Sequence, residues 1–346
     1  MYKELVATEP NNPIFREYDD EDVKANEIKI EVKFGAPKHG TELTIYRGES
    51  PFEDKYYDED WNAFLTKKTK DERSMFPWGL GNMWVGEVIE KGVDVNNISV
   101  GQRVAGFGHL RNTHNIKAKD ALILPSNMTW KEAVCYDPAH FALAGLRDSK
   151  FKAGDRVAIF GMGAIGLLTA QLAKRAGARW VAIADPIAKR RNVALNNGAD
   201  IALDPSKDDV GLEIKKLTDK MGVDVSIESS GSSAALHQAI RSTAYNGKIA
   251  VVGWYKRAKK SLHFGEEAHH NIPDLIFSRA CSQPDREHPR WDFERIKETC
   301  WWMLSEGWLN CEEIVDPVVE FRDARDAYIE YVDKHPEKSI KLGVKF

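Results

Sequence analysis

The chain has 346 residues, of which 42% are hydrophobic and 29% charged, with a net charge of −4. That length predicts two domains, and that composition excludes a disordered polymer. The mildly acidic balance gives no footprint for nucleic acid or an anionic membrane as partner, and no run of about 18 apolar residues is present to cross a bilayer.

The N-terminal MYKELVATEPNNPIF lacks a basic start followed by an apolar block, so no secretory signal is expected. Four scattered cysteines without a CxxC pair predict reduced thiols and a cytoplasmic protein. The first part of the chain reads as strands and turns. NEIKIEVKFGA (26–36) alternates like a half-buried strand, and residues 84–108 read as two strand-like runs split by Gly, Asn and Ser. Between them, residues 49–79 form a charged, aromatic-dotted insert, expected as a loop with one short helix. It is either a solvated excursion or a lid whose Tyr56, Tyr57 and Trp61 stack on a substrate.

From about residue 138 the rhythm becomes strand–helix–strand. DRVAIFG, AIGLLTAQLAKRAGA and WVAIAD are followed by AKRRNVALNNGAD, a helix with Gly198 as its C-terminal cap. DVSIESSG, HQAIRSTAYNG and KIAVVGW repeat the unit, which predicts a parallel sheet covered on both faces. Two helices, DFERIKETCWWMLSEG and FRDARDAYIEYVDK, and a last strand, SIKLGVKF, close the chain.

The sharpest motif is Gly161-Met162-Gly163-Ala164-Ile165-Gly166. It follows an apolar strand, opens a helix, and precedes an acid, Asp185, at the end of the next strand. This is the context of a dinucleotide fingerprint. Gly161 permits the tight turn, Gly163 lets a pyrophosphate approach the backbone, and Gly166 lets helix and strand pack. The helix start at Ala164 and Ile165 supplies free amides and partial positive charge. Asp185 is expected to hold the adenosine ribose and to repel a 2′-phosphate, which predicts NAD; Lys189, Arg190 and Arg191 follow closely and oppose that preference.

With these residues in place, the chain resembles the medium-chain dehydrogenase/reductase superfamily, which includes alcohol, sorbitol and threonine dehydrogenases. HGTELTIYRG (39–48) resembles the family's CGTD segment and GNMWVGEV (81–88) its GHE segment. VGQRVAGFG (100–108) resembles the GDRV strand, and YDPAHFALAG (136–145) the segment before the nucleotide domain. The resemblance implies an α/β protein, a GroES-like β domain (1–137) plus a Rossmann doubly wound parallel sheet (138–285), with a C-terminal return to the first domain (286–346). It also implies an NAD-dependent oxidoreductase interconverting a secondary alcohol and a ketone, on a polyol, sugar or sugar derivative. Hydride would pass between domains.

The departures are specific. Where zinc-dependent members place a cysteine, a histidine and a later Cys or Glu, this chain has His39, Asn82 and Asp137, and the GHE glutamate position is Met83. Amide groups are poor zinc ligands, and the four-cysteine structural lobe is absent. The chain is similar to the zinc-free branch that carries GTE, including bacteriochlorophyllide-dehydrogenase-like proteins. No metal is expected, the alternative being an unorthodox site of His39, Asp137 and His140. Thr41 falls at the family's proton-relay position, and a zinc-free enzyme needs a protein base, for which His39 and His140 are the candidates with Asp137 as orienting group. The resemblance places Ser230, Val252 and Gly253 at the nicotinamide and Arg190 at the cofactor. Lys341 takes the place of an arginine that contacts the pyrophosphate. His109 and Trp61 are candidates for the substrate pocket, whereas Glu42 is expected to hydrogen-bond the turn backbone. A homodimer or homotetramer acting on a small hydroxylated substrate is the expected assembly. The rivals are a zinc-free NADPH-dependent quinone or enoyl reductase and a non-catalytic NAD-binding sensor.

Overall fold

Alternating side chains give the strand Glu27–Ala36 one buried face, with Ile28, Ile30 and Val32 packed against Trp84, Val88, Val95, Ile98 and Val104. The computed structural model that shows this describes residues 1–68, 75–255 and 262–346. It divides into two units, Met1–Val134 with Val315–Phe346, and Cys135–Ile314.

In the first unit, Glu27–Ala36 pairs antiparallel with Met83–Lys91 on one edge and with Thr113–Lys117 and Lys341–Lys345 on the other. Among the described residues this sheet has seven strands, ending in Leu122–Ile123 on one side and Val315–Glu320 on the other. Tyr46, Leu80, Leu110, Tyr328 and Leu342 fill a second core in the same unit. The insert differs from the expected loop with a helix. A single 3-10 turn (Pro51–Glu53) leads into a hairpin of Lys55–Asp58 and Ala63–Thr66. Trp61 sits in its turn, 77% exposed, and residues 69–74 of the insert lie outside the described residues.

The second unit is built on short apolar strands in a six-stranded parallel sheet among the described residues. Its order is Ile201–Leu203, Trp180–Ala184, Arg156–Phe160, Val223–Glu228, Thr243–Val251, Asp274–Phe277. Ranked along the chain this is 3-2-1-4-5-6, the doubly wound order, in which ligands bind where the order reverses. Gly198, at φ +100°, ends the helix Ala188–Asn196 as expected. The helix expected to run through HQAIRSTAYNG stops at Ser242, because Thr243 already pairs with Val223 as sheet.

The C-terminal boundary is also corrected. The return to the first unit begins at Val315 and not at 286. The helix Phe293–Ser305 buries Ile296, Cys300, Met303 and Leu304. Next to Ile296 and Cys300, Trp301 stands edge-on to Tyr136, with ring centroids 5.1 Å apart, and the Arg147 guanidinium lies 3.4 Å over the Trp291 ring. These contacts keep residues 291–301 on the helix Tyr136–Asp148. No helix among the described residues is long and apolar enough to cross a membrane.

Candidate functional site

The glycine loop follows the strand Arg156–Phe160 at the reversal of strand order. Gly161 has φ +89°, and a Cβ there would lie 2.7 Å from the Ser230 Cβ. A Cβ on Gly166 would lie 1.9 Å from the Gly161 carbonyl oxygen. Around Gly163, by contrast, a Cβ would meet nothing within 4 Å. Gly163 is the N-cap of the helix Ala164–Arg175 and offers no capping side chain, so the first-turn amides face open space. Two glycines are required by packing and the third leaves a cradle. A dinucleotide pyrophosphate fits that cradle.

Asp185 ends the strand Trp180–Ala184 and is 3% exposed. Its Oδ2 accepts from Met162 N at 2.6 Å and its Oδ1 from Ile187 N at 2.8 Å, which locks the carboxylate against the loop. Arg191 is committed elsewhere, to the Asp185 carbonyl at 2.7 Å and the Asp204 carboxylate at 3.1 Å. Arg190 lies close enough for Asp185 to support its charge, which burial opposes more strongly.

A residue that the motif reading passed over organises the other side of the loop. Glu228 is fully buried at the end of Val223–Glu228. Its carboxylate accepts from Ser230 N at 2.7 Å, the Ser230 hydroxyl, Gly231 N at 3.2 Å and the Tyr255 hydroxyl at 2.6 Å. Its carbonyl takes both Val252 N and Gly253 N, and burial raises its carboxyl pKa. Ser229 Oγ donates to the Phe160 and Gly161 carbonyls. The available signal was an acid ending an apolar strand before Ser-Ser-Gly.

On the helix Tyr136–Asp148, Asp137 and His140 stand three residues apart and are both buried. The His140 ring meets Tyr136 edge-on at 4.1 Å and Phe293 at 5.5 Å. His39 and Thr41 belong to the other unit.

There the expected roles change. His39 Nε2 accepts the Leu342 N–H at 2.9 Å. An imidazole nitrogen accepting from an amide is deprotonated and its lone pair is engaged, so Nε2 serves neither as zinc ligand nor as proton acceptor. Asn82 offers an amide in place of an imidazole, and its Nδ2 is buried without a hydrogen bond among the described residues. Beside it Met83 is fully buried. This donor set does not fit a catalytic zinc. Thr41 opens the helix Thr41–Tyr46, half-buried, and its hydroxyl closes no hydrogen bond among the described residues.

Lys341 has partners within its own unit. It is 4% exposed, its ammonium donates to the Pro37 carbonyl at 2.9 Å, and its charge acts on Glu42. His109 is held by Glu4, Nε2 to Oε2 at 2.6 Å, with Arg16 on the other carboxylate oxygen, so its ring is part of a hydrogen-bond network and not a free pocket wall. His114 stacks on Trp84, and burial pushes its pKa down to about 3, which keeps it neutral.

Glu42 accepts from Gly81 N at 2.8 Å, the turn-backbone bond expected of it. Its Oε1 is buried without a closed hydrogen bond; the nearby Tyr328 hydroxyl favours the ionised form and only partly offsets burial. Burial dominates and lifts the carboxyl pKa to about 7, while the Gly81 amide and Lys341 pull it back. The folded state therefore holds a proton that the unfolded chain, at 4.5, has released. Stability falls as pH rises from 4.5 to about 7. Glu42→Gln keeps the Gly81 bond and removes this fall. Urea unfolding is expected to show the variant gaining about 1–3 kcal/mol on wild type between pH 5 and pH 8. Parallel pH profiles would contradict a buried, titrating Glu42.

Residues 164–281 match a family model described as zinc-binding dehydrogenase, a stretch that contains the cofactor helix but neither His39 nor Asn82. Over 349 aligned positions, 99% of this chain and 100% of the relative, the sequence is 48% identical to D-guloside 3-dehydrogenase of Escherichia coli (strain K12). A crystal structure of 2R,3R-butanediol dehydrogenase from Bacillus subtilis matches with TM-score 0.76 and 24% identity, covering 100% of both chains. A zinc-binding dehydrogenase from Sinorhizobium meliloti 1021, bound to NADP, matches with TM-score 0.78 and 20% identity over 100% of this chain and 99% of that one. At those identities the two structures speak to the fold, a GroES-like domain with a Rossmann domain. The chain belongs to the zinc-type medium-chain dehydrogenase superfamily and is an oxidoreductase of the alcohol dehydrogenase type.

Proposed function

We propose that this protein oxidises the 3-hydroxyl of a D-guloside or a closely related sugar derivative, with NAD as acceptor and without catalytic zinc. The observation that carries this reading is the full-length similarity to D-guloside 3-dehydrogenase. The cofactor half rests on the cradle at Gly163 and on Asp185. The NADP-bound neighbour is too distant to decide the cofactor.

In this reading the amides of Ala164 and Ile165 hold the pyrophosphate, Asp185 accepts from the adenosine ribose, and Arg190 flanks it. Val252 and Gly253 have their N–H groups on Glu228, so their carbonyls are the groups left to meet the nicotinamide amide. Nicotinamide, when bound, supplies the hydride acceptor. Thr41 is assigned to the substrate oxygen and His140 to the proton as general base, with Asp137 supporting the imidazolium from the preceding turn. A homodimer or homotetramer in the cytoplasm completes the proposal.

An NADPH-dependent quinone or enoyl reductase is disfavoured by the buried Asp185, and a sensor by full-length likeness to a named dehydrogenase. Purified protein given D-gulosides and NAD is expected to form NADH and one 3-keto product, identified by NMR. His140→Ala is expected to bind NADH normally and to lose about 10²–10⁴-fold in kcat. Oxidation at another carbon, or none, would overturn the assignment.

A further inference from the structure

The helix Ser233–Ser242 and the turn Phe264–Ala268 bring together three side chains that the cofactor site does not use. One donor atom each from His237, Glu266 and Glu267 lies within 4.8 Å of the others, the one such group of three among the described residues. Two of its atoms are orphans. His237 Nδ1 and the Glu267 carboxylate oxygen Oε2 are buried, and neither closes a hydrogen bond among the described residues. Leaving a buried donor or acceptor unsatisfied is costly, and folds rarely leave two within one small cluster.

The surroundings fix Glu267 in place. Its Oε1 is held by Arg241 Nε at 2.9 Å, and Arg241 is anchored on Asp209, one contact being Nη2 to Oδ2 at 3.0 Å. This is the outer layer of hydrogen bonds that orients a ligating carboxylate. Arg241 and Asp209 cancel, and Lys215, whose charge Glu267 supports, offsets part of the negative charge that Glu266 and Glu267 bring. His263 stands at the rim, its ring 5.4 Å from that of His237 and its Nδ1 3.8 Å from Glu266 Oε1, in reach to serve as a fourth donor.

We propose that His237, Glu266 and Glu267 form a divalent-cation site that pins the turn Phe264–Ala268 to the helix Ser233–Ser242. Imidazole beside two carboxylates selects a zinc- or manganese-type ion over calcium or magnesium. The ligand atoms close by about an ångström to reach tetrahedral spacing. The ion's role is structural, since no atom of the set meets the glycine loop, Asp185 or Glu228 in any contact described above.

The test is Zn²⁺ titration of chelator-treated protein against a chromophoric competitor, with native mass spectrometry for stoichiometry. Wild type is expected to bind one Zn²⁺ per chain and to melt at a higher temperature when loaded. His237→Gln and Glu267→Gln are each expected to weaken binding at least about tenfold, whereas Asp137→Asn leaves it unchanged. NADH affinity, read by fluorescence, is expected to be the same in wild type and His237→Gln. That readout separates failure here from failure of the proposed function. No saturable binding below about 100 µM Zn²⁺, or binding that survives His237→Gln and Glu267→Gln alike, would overturn the site.

Discussion

Gly163→Ala is expected to keep the fold and lose the cofactor, while Gly166→Ala loses both. At position 166 the added methyl would sit 1.9 Å from a backbone oxygen, that of Gly161, which no side-chain rotation can relieve. The helix Ala164–Arg175 must then back away from the strand Arg156–Phe160, at about 2–4 kcal/mol. In a unit of this size that corresponds to a fall in Tm of about 5–15 °C. At position 163 the methyl meets nothing within 4 Å and φ is −72°, so Tm should move little. The methyl does fill the approach to the first-turn amides, where a pyrophosphate must come within hydrogen-bond range. NADH affinity is expected to drop about 10–100-fold. Thermal melts and NADH fluorescence titrations on the two variants check both halves. A Gly163→Ala protein that binds NADH like wild type would mean that the cradle is not the cofactor site.

Asp185→Ser carries the second large effect, on cofactor choice. The carboxylate has two structural duties, accepting Met162 N and Ile187 N, and one proposed functional duty toward the adenosine ribose. Removing it leaves two loop amides short of acceptors, at about 1–3 kcal/mol of stability. It also removes the negative charge that a 2′-phosphate would face, a like-charge contact worth several kcal/mol. The ratio of kcat/KM for NAD over NADP is expected to fall by about 10²–10³, with Arg190 beside the vacated position. Steady-state kinetics with both cofactors measure this. A wild-type enzyme that already prefers NADP would contradict the role given to Asp185.

The nucleotide-binding half was legible because its determinants are local. Short apolar strands, helix caps such as Gly198 and the spacing from Gly161 to Asp185 each act within a few tens of residues. The half that carries Thr41 was legible as strands but not as chemistry. His39 meets Leu342 across 303 positions, Lys341 meets Pro37 across 304, and His109 meets Glu4 across 105. A motif says which position a histidine occupies, but the partner of its ring nitrogen is decided by sheet pairing far along the chain. Glu228 escaped notice for a similar reason, since its value lies in gathering the loops at Ser230, Val252 and Tyr255. The boundary at Val315 was displaced because an amphipathic helix such as Phe293–Ser305 has the same pattern whichever core receives it.

The most direct test of zinc-free, NAD-dependent oxidation is NADH formation from a D-guloside by protein exhaustively treated with chelator, run beside His237→Gln. Both samples are expected to keep turning over, with absorbance at 340 nm rising only when NAD and the sugar are present together. Activity that vanishes in both and returns only on adding Zn²⁺ would contradict the account.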